Sequence, residues 1–310
     1  MGKADRIRQN NARAKIAAQQ AAARRAEARR RMLFAGASVL AVIAIVVVLV
    51  VVHAAGNNSA SASGKGSTAS ATGSTATATT VTKDLADVPA STLDSVGAGS
   101  GIAKLIPTSG QQMLTSGGKP EILYVGAEYC PYCAAERWAM AVALSRFGTF
   151  SGVKLIHSSS SDVYANTPTL SFYHSTYTSK YVDFTPVEWY SRTATSSGSY
   201  KVLQAPNSSQ SKIFDKYDAP PYISSSDTGS FPFVDFGNQY LVIGAQYLPS
   251  TLSGLSWTQV ATDVSNASSP VAKDIDGAAN SLTAAICKIT KNADTAVCSS
   301  SAAQAGAGNL

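Results

Sequence analysis

Apolar and polar residues are unevenly spread along the chain. Met32 to Val52 is an uncharged run of 21 residues dense in Val, Ile, Leu and Ala. At about 1.5 Å rise per residue, a helix over this run reaches about 31 Å, enough to cross the hydrocarbon core of a bilayer. From Ala54 to Thr80 nearly every residue is Ser, Ala, Thr or Gly, and none is aromatic. Such a stretch buries too little to offset its ordering entropy, which predicts a flexible linker over 53–83.

Folded character returns near Leu85 and is clear by Pro120, placing one domain at 84–298 with a disordered tail over 299–310. Glu121 to Gly126 is a short apolar run preceded by Gly117, Gly118 and Pro120, the pattern of a buried strand. Ala134 to Phe147 has helical composition, with Met140, Leu144 and Phe147 on one stripe. Gly148 ends that helix, and Val153 to His157 predicts a second strand, most simply parallel to the first because a helix separates them. The segment 158–230 holds twelve of the 25 aromatic residues, too many for a loop, so it reads as an ordered insertion. Phe231 to Phe236, the pair Gly237-Asn238 and Gln239 to Ile243 predict a hairpin with a type II′ turn. Beyond it, Trp257, Val260, Ala261 and Val264 mark one amphipathic helix. Ile275, Ala279, Leu282, Ile286 and Ile289 mark another, with Ser269 as N-cap and Pro270 at its first position.

Charge changes the picture at the N-terminus. Residues 1–31 carry ten Lys and Arg against Asp5 and Glu27, whereas the remainder is slightly acidic and has no basic footprint for nucleic acid. Arg24, Arg25, Arg29, Arg30 and Arg31 immediately precede the apolar run, so the positive-inside rule predicts a cytoplasmic tail, one transmembrane helix over 32–52, and a domain outside the plasma membrane. The rival is a cleavable signal peptide ending near Val52-His53-Ala54. The tail is also suited to lie on anionic lipid.

Cys130-Pro131-Tyr132-Cys133 follows the first strand and opens the first helix. A helix N-terminus offers free N–H groups and a positive dipole end, which stabilise a thiolate. Cys130 is the expected exposed nucleophile and Cys133, one turn along, the resolving thiol. Pro131 restrains the turn, and Pro131 and Tyr132 are candidate substrate contacts. The dithiol itself carries the electrons, so no cofactor is called for. An inert structural disulfide uses the same spacing, as do zinc sites. His53, His157 and His174 form no ligand-spaced set, however, and no metal is expected. Cys287 and Cys298 are expected to form a structural disulfide in an oxidising compartment. A proline entering a strand beside the dithiol is a further requirement of thioredoxin-like architecture. Pro232 is the favoured candidate and Pro168 its rival. Glu128 and Glu136 flank the dithiol and are candidate proton shuttles during exchange, with surface solvation or helix pairing the favoured reading, and His157 reads as a structural histidine.

The stretch from Gly118 to Trp138, ending Tyr129-Cys130-Pro131-Tyr132-Cys133-Ala134-Ala135-Glu136-Arg137-Trp138, resembles the prokaryotic domain-of-unknown-function family 929. The similarity continues through Leu144 to Gly148, Phe231 to Asn238 and the Cys287 to Cys298 end, covering about 88–298. The resemblance implies a thioredoxin-like fold on a membrane-anchored protein and supplies no established activity.

The expected architecture is thus α/β: a thioredoxin-like domain with a large aromatic-rich insertion, preceded by one transmembrane helix and a disordered linker. The expected function is thiol-disulfide exchange with exported protein thiols or disulfides, coupled to an unidentified membrane redox partner. The alternative is a non-catalytic binding module in which the Tyr-rich insertion meets a partner.

Overall fold

The computed structural model describes residues 72–196 and 198–310. The basic tail, the apolar span and most of the linker lie outside them. No helix among the described residues is long and apolar enough to cross a membrane.

In chain order the elements are α1 (Thr75–Ala86), α2 (Ala90–Val96), β1 (Ile106–Pro107), β2 (Thr115–Ser116), β3 (Lys119–Ala127), α3 (Pro131–Ser145), β4 (Gly148–Ser151), β5 (Lys154–His157), β6 (Pro168–Ser171), β7 (Thr176–Ser179), β8 (Asp183–Ala194), β9 (Tyr200–Val202), α4 (Ser208–Tyr217), β10 (Phe233–Phe236), β11 (Tyr240–Ile243), α5 (Trp257–Asp263), α6 (Pro270–Ile289), α7 (Thr295–Cys298) and α8 (Ser301–Gly306). They form a mixed α/β fold around a seven-stranded sheet in the order β1-β11-β10-β3-β8-β9, with β2 beside β3. β3 runs parallel to β8 and antiparallel to β10.

Successive side chains of β3 point to opposite faces. Ile122 and Tyr124 join the larger core, which includes α3 and α6, while Leu123 and Val125 pack with Phe214 and Tyr217 of α4. Because both faces are covered, β3 reads in sequence as a continuous apolar run instead of an alternating one. Helix α6 begins as its residues predict, with Ser269 Oγ accepting the Ala272 N–H at 2.9 Å and Pro270 at the first position.

Four features depart from the sequence reading. The first is the parallel partner of β3. The strand containing His157, β5, pairs antiparallel with β6 in a separate two-stranded sheet. The parallel partner is β8, from within the segment read as an insertion, so that segment supplies part of the central sheet. Pro186, Glu188 and Arg192 obscured β8, whose polar side chains are satisfied by distant partners; Arg192 Nε, for example, donates to the His157 carbonyl at 2.9 Å.

The second is α1, which begins inside the stretch expected to be flexible. Ser74 caps it, and Ala78, Val81 and Leu85 form a buried helical stripe. Thr79 and Thr82 return their hydroxyls to carbonyls four residues earlier, so a Thr-rich sequence is accommodated.

Third, residues 299–310 form an ordered, packed end and not a disordered tail. Ala302 and Ala303 are buried, the Ala302 N–H donates to Asp94 Oδ1 at 2.8 Å, and the Leu105 N–H donates to the Asn309 carbonyl at 2.8 Å. Small residues achieve this by close approach, a contact that hydrophobicity does not reveal.

Finally, the β10–β11 turn has φ of 65° at Gly237 and 58° at Asn238, the type I′ pattern and not type II′. Asn tolerates the left-handed region, and the Asp235 carboxylate accepts the Asn238 N–H at 2.7 Å.

Candidate active site

β3 ends at Ala127 and α3 begins at Pro131, so residues 128–130 make the turn that carries the first cysteine. Cys130 is the N-cap of α3. Its Sγ accepts the Cys133 N–H at 3.2 Å, and Pro131 occupies the first turn, where an N–H would lack an intrahelical partner. Both thiols are free, but Cys130 is only 6% exposed and Cys133 is 0% exposed. The expected exposed position of Cys130 is therefore corrected: Tyr129, Tyr190 and Phe231 pack against the pair.

Environment separates the two thiols. Cys130 is held below the ordinary thiol range, first by the hydrogen bond with the Cys133 thiol and further by the Cys133 and Tyr132 N–H groups and the Arg137 charge, against the opposing effect of burial. Burial drives Cys133 well above that range, and its hydrogen bond with Cys130 acts in the same direction. One thiol is prepared to ionise while its neighbour holds the proton.

Of the two candidate prolines, Pro232 is the one beside the dithiol. The Phe231–Pro232 peptide bond is cis, and the Cys130 thiol donates to the Phe231 carbonyl at 3.7 Å. Pro168 instead begins β6, where its carbonyl accepts the Trp138 indole N–H at 2.9 Å. Tyr132 is 37% exposed and meets the Tyr164 ring edge-to-face at 5.8 Å.

Phe231 also joins the dithiol to an aromatic groove of about 450 Å³ lined by Tyr129, Trp189, Tyr190, Tyr200 and Phe214. Tyr129 stacks on Tyr200 at 4.0 Å, and Trp189 stacks on Tyr190 at 5.3 Å. Three of these rings come from β8 and β9, in the aromatic-rich segment.

Residues 106–288 match a family model described as domain of unknown function (DUF929). The chain belongs to this family. No curated protein and no solved structure matches it.

The DUF929 match includes the dithiol, Pro232 and Cys287. Cys287 and Cys298 are joined in a disulfide with their Cα atoms 5.6 Å apart, linking α6 to α7. His157 packs its ring on Trp257 at 4.4 Å.

The sequence reading missed the charged group beneath this DUF929 dithiol. Arg137 and Glu188 are both fully buried. Arg137 Nε and Nη2 donate to the two Glu188 carboxylate oxygens at 2.8 and 2.7 Å, and Nη2 also donates to the Ala127 carbonyl at 2.8 Å. The available signal was a charged residue at each end of this pair, within a mainly apolar helix and beside Val187 on a strand.

Glu128 and Glu136, read as surface residues, are also buried. Glu128 accepts from Ser171 Oγ at 2.7 Å, and Glu136 accepts the Gln246 N–H at 2.9 Å. Burial raises the Glu136 pKa to about 7. For Glu136 the cause is the position of α3, which is covered along nearly its whole length and so has no solvent face for its one acid.

Proposed function

We propose that this DUF929 protein is a membrane-anchored thiol-disulfide oxidoreductase acting on the cysteines of exported proteins. The observation that carries the reading is Cys130 at the α3 N-cap, accepting the Cys133 N–H and lying beside the Phe231–Pro232 peptide. A thioredoxin-like classification draws support from the order β3, α3, parallel β8, antiparallel β10 and β11, then α6. The membrane anchor and outward orientation rest on the apolar run at 32–52 and the Arg cluster before it.

In the reducing direction, the Cys130 thiolate attacks a substrate disulfide, forming a Cys130–substrate disulfide and releasing the other substrate sulfur as a thiolate. Cys133 loses its proton and attacks Cys130; the mixed disulfide breaks as the Cys130–Cys133 bond forms, and the second substrate sulfur leaves with its electron pair. Two electrons pass from the dithiol to the substrate. The reverse sequence oxidises a substrate dithiol. The aromatic groove gives an unfolded polypeptide an apolar contact beside Cys130, in keeping with the abundance of Tyr and Trp at binding surfaces.

A second reading is a non-catalytic binding module. It draws on the burial of both thiols, which limits their access to a bulky partner.

Cys133→Ser tests the first reading in cells, because it removes the resolving thiol and keeps the nucleophile. The variant should accumulate cross-linked envelope proteins on a non-reducing gel, released by reductant. Cys130→Ser should give no comparable set. Absence of trapped protein from both variants, with a wild-type disulfide that resists mild reductant, would favour the binding module.

A further inference from the structure

Resolution of a mixed disulfide requires the less accessible thiol to ionise. Cys133 has no exposed surface and clusters with Ala127 and Cys130. An unpaired charge formed there is costly. One helical turn further along α3 lies Arg137, whose side chain keeps its charge throughout the accessible pH range.

Arg137 is held in place on one side only. Glu188 engages Nε and Nη2, and the Ala127 carbonyl takes a further bond from Nη2. Nη1 is buried without a hydrogen-bond partner among the described residues, as is the Tyr124 hydroxyl. The Tyr124 ring lies 5.9 Å from the guanidinium carbon. Buried donors are ordinarily satisfied, so a spare donor on a fixed cation whose charge reaches Cys133 has a physical use. Ala127 touches both structures: its carbonyl holds Arg137, and its side chain packs with the two cysteines.

We propose that Arg137, oriented by Glu188, is a positioning residue that stabilises the Cys133 thiolate while a mixed disulfide is resolved. The inference rests on the oxidoreductase reading above and assigns the electrostatic demand of its resolving step to one side chain. Arg137 itself transfers no proton. The Cys133 proton passes to water, the Cys133 sulfur bonds to Cys130, the Cys130–substrate bond breaks, and the departing substrate thiolate takes a proton from water.

The other titratable groups around the pair are Cys130, Tyr124 from β3, Glu128 and Tyr129 from the preceding turn, and Glu188 from β8. Glu188 bears negative charge close to Arg137, and Cys130 is uncharged while it is bonded to substrate, so neither can supply the missing cation.

The test uses the reduced full-length protein in detergent and the coloured disulfide dithiobis(nitrobenzoate). Attack by Cys130 releases one coloured thiolate, and resolution by Cys133 releases a second, so the two steps are read separately. The double variant Arg137→Met with Glu188→Gln removes the cation without leaving its anion buried. It should slow the second release about tenfold and raise its pH midpoint by about one unit, with a smaller effect on the first release. Glu188→Gln alone keeps an amide oxygen that can accept from Arg137 and so preserves its orientation, but leaves the cation less compensated, and should speed the second release and lower its midpoint.

An unchanged second release in a double variant with native circular dichroism would overturn the proposal. So would slowing of that release in Glu188→Gln, which decides the matter if the double variant fails to fold. Loss of the first release in the wild-type protein would instead overturn the oxidoreductase reading on which the inference rests.

Discussion

A methyl group added to Gly126 would lie 2.1 Å from the hydroxyl oxygen of Tyr124, and 2.4 Å from the ring carbon bearing it. The two residues are alternate members of β3, so they share one face of the sheet. The Tyr124 ring lies across the space that a Gly126 side chain would fill, on its way to an edge-to-face contact with Phe172 at 5.7 Å. This packing sits next to the turn that carries the dithiol.

Gly126→Ala should therefore destabilise the domain by about 1–3 kcal/mol, because the ring must move within a close-packed core. Adding Tyr124→Phe should recover only part of the loss, since the ring carbon remains in the way. Urea denaturation of the single and double variants beside wild type measures this, and a Gly126→Ala protein as stable as wild type would refute the packing argument.

Replacing both Cys287 and Cys298 with Ser should lower stability by about 2–4 kcal/mol, the range for removing a cross-link around a short loop. The reactivity of Cys130 should change little, because the disulfide joins α6 to α7 and does not line the dithiol. Thermal unfolding and the rate of Cys130 alkylation test the two halves of this prediction.

Removal of residues 299–310 should destabilise the domain. It exposes the α6 surface that α8 covers and deletes the partner of the Asp94 carboxylate. Gly306→Val is the finer test: even a Cβ there would lie 2.1 Å from the Asn280 carbonyl oxygen, so the substitution should separate α8 from α6. Hydrogen exchange of the α8 amides should rise in this variant, and unchanged protection would count against the packed tail.

Stability should fall as pH rises from about 4 to about 8. Burial raises the Asp276 pKa from 3.8 to about 8, partly opposed by the Arg146 charge, and raises that of Glu136 from 4.5 to about 7. Both folded values exceed the unfolded ones, so the folded state keeps protons that the unfolded state has already lost. Their contribution is fully present below the unfolded values and is lost as pH climbs through the folded ones.

Neither Asp276 oxygen has a hydrogen-bond partner among the described residues. Asp276→Asn should therefore flatten the pH dependence and raise stability by about 1–3 kcal/mol near pH 8. Denaturant midpoints across the window would decide it, and an identical slope in the variant would contradict the assignment.

The sequence alone determined the features that depend on near neighbours. A Gly- and Pro-flanked apolar run located β3, and the spacing Cys130-Pro131-Tyr132-Cys133 before a helical stripe placed the dithiol at the N-terminus of α3. Ser269-Pro270 marked the start of α6. Gly237-Asn238 marked a hairpin turn, although the identity of the first residue did not distinguish type II′ from type I′. Tertiary structure decided what depends on residues far apart. Glu188 could join a buried strand because Arg137 meets it, and β8 could be paired with β3 only once its polar residues had partners. Glu136, the one acid of α3, turned inward because the helix is covered along its length. Helix α1 and the 299–310 segment pack through Ala, Thr and Gly, whose small side chains give little hydrophobic contrast along the chain and are placed by close approach to the surfaces they meet.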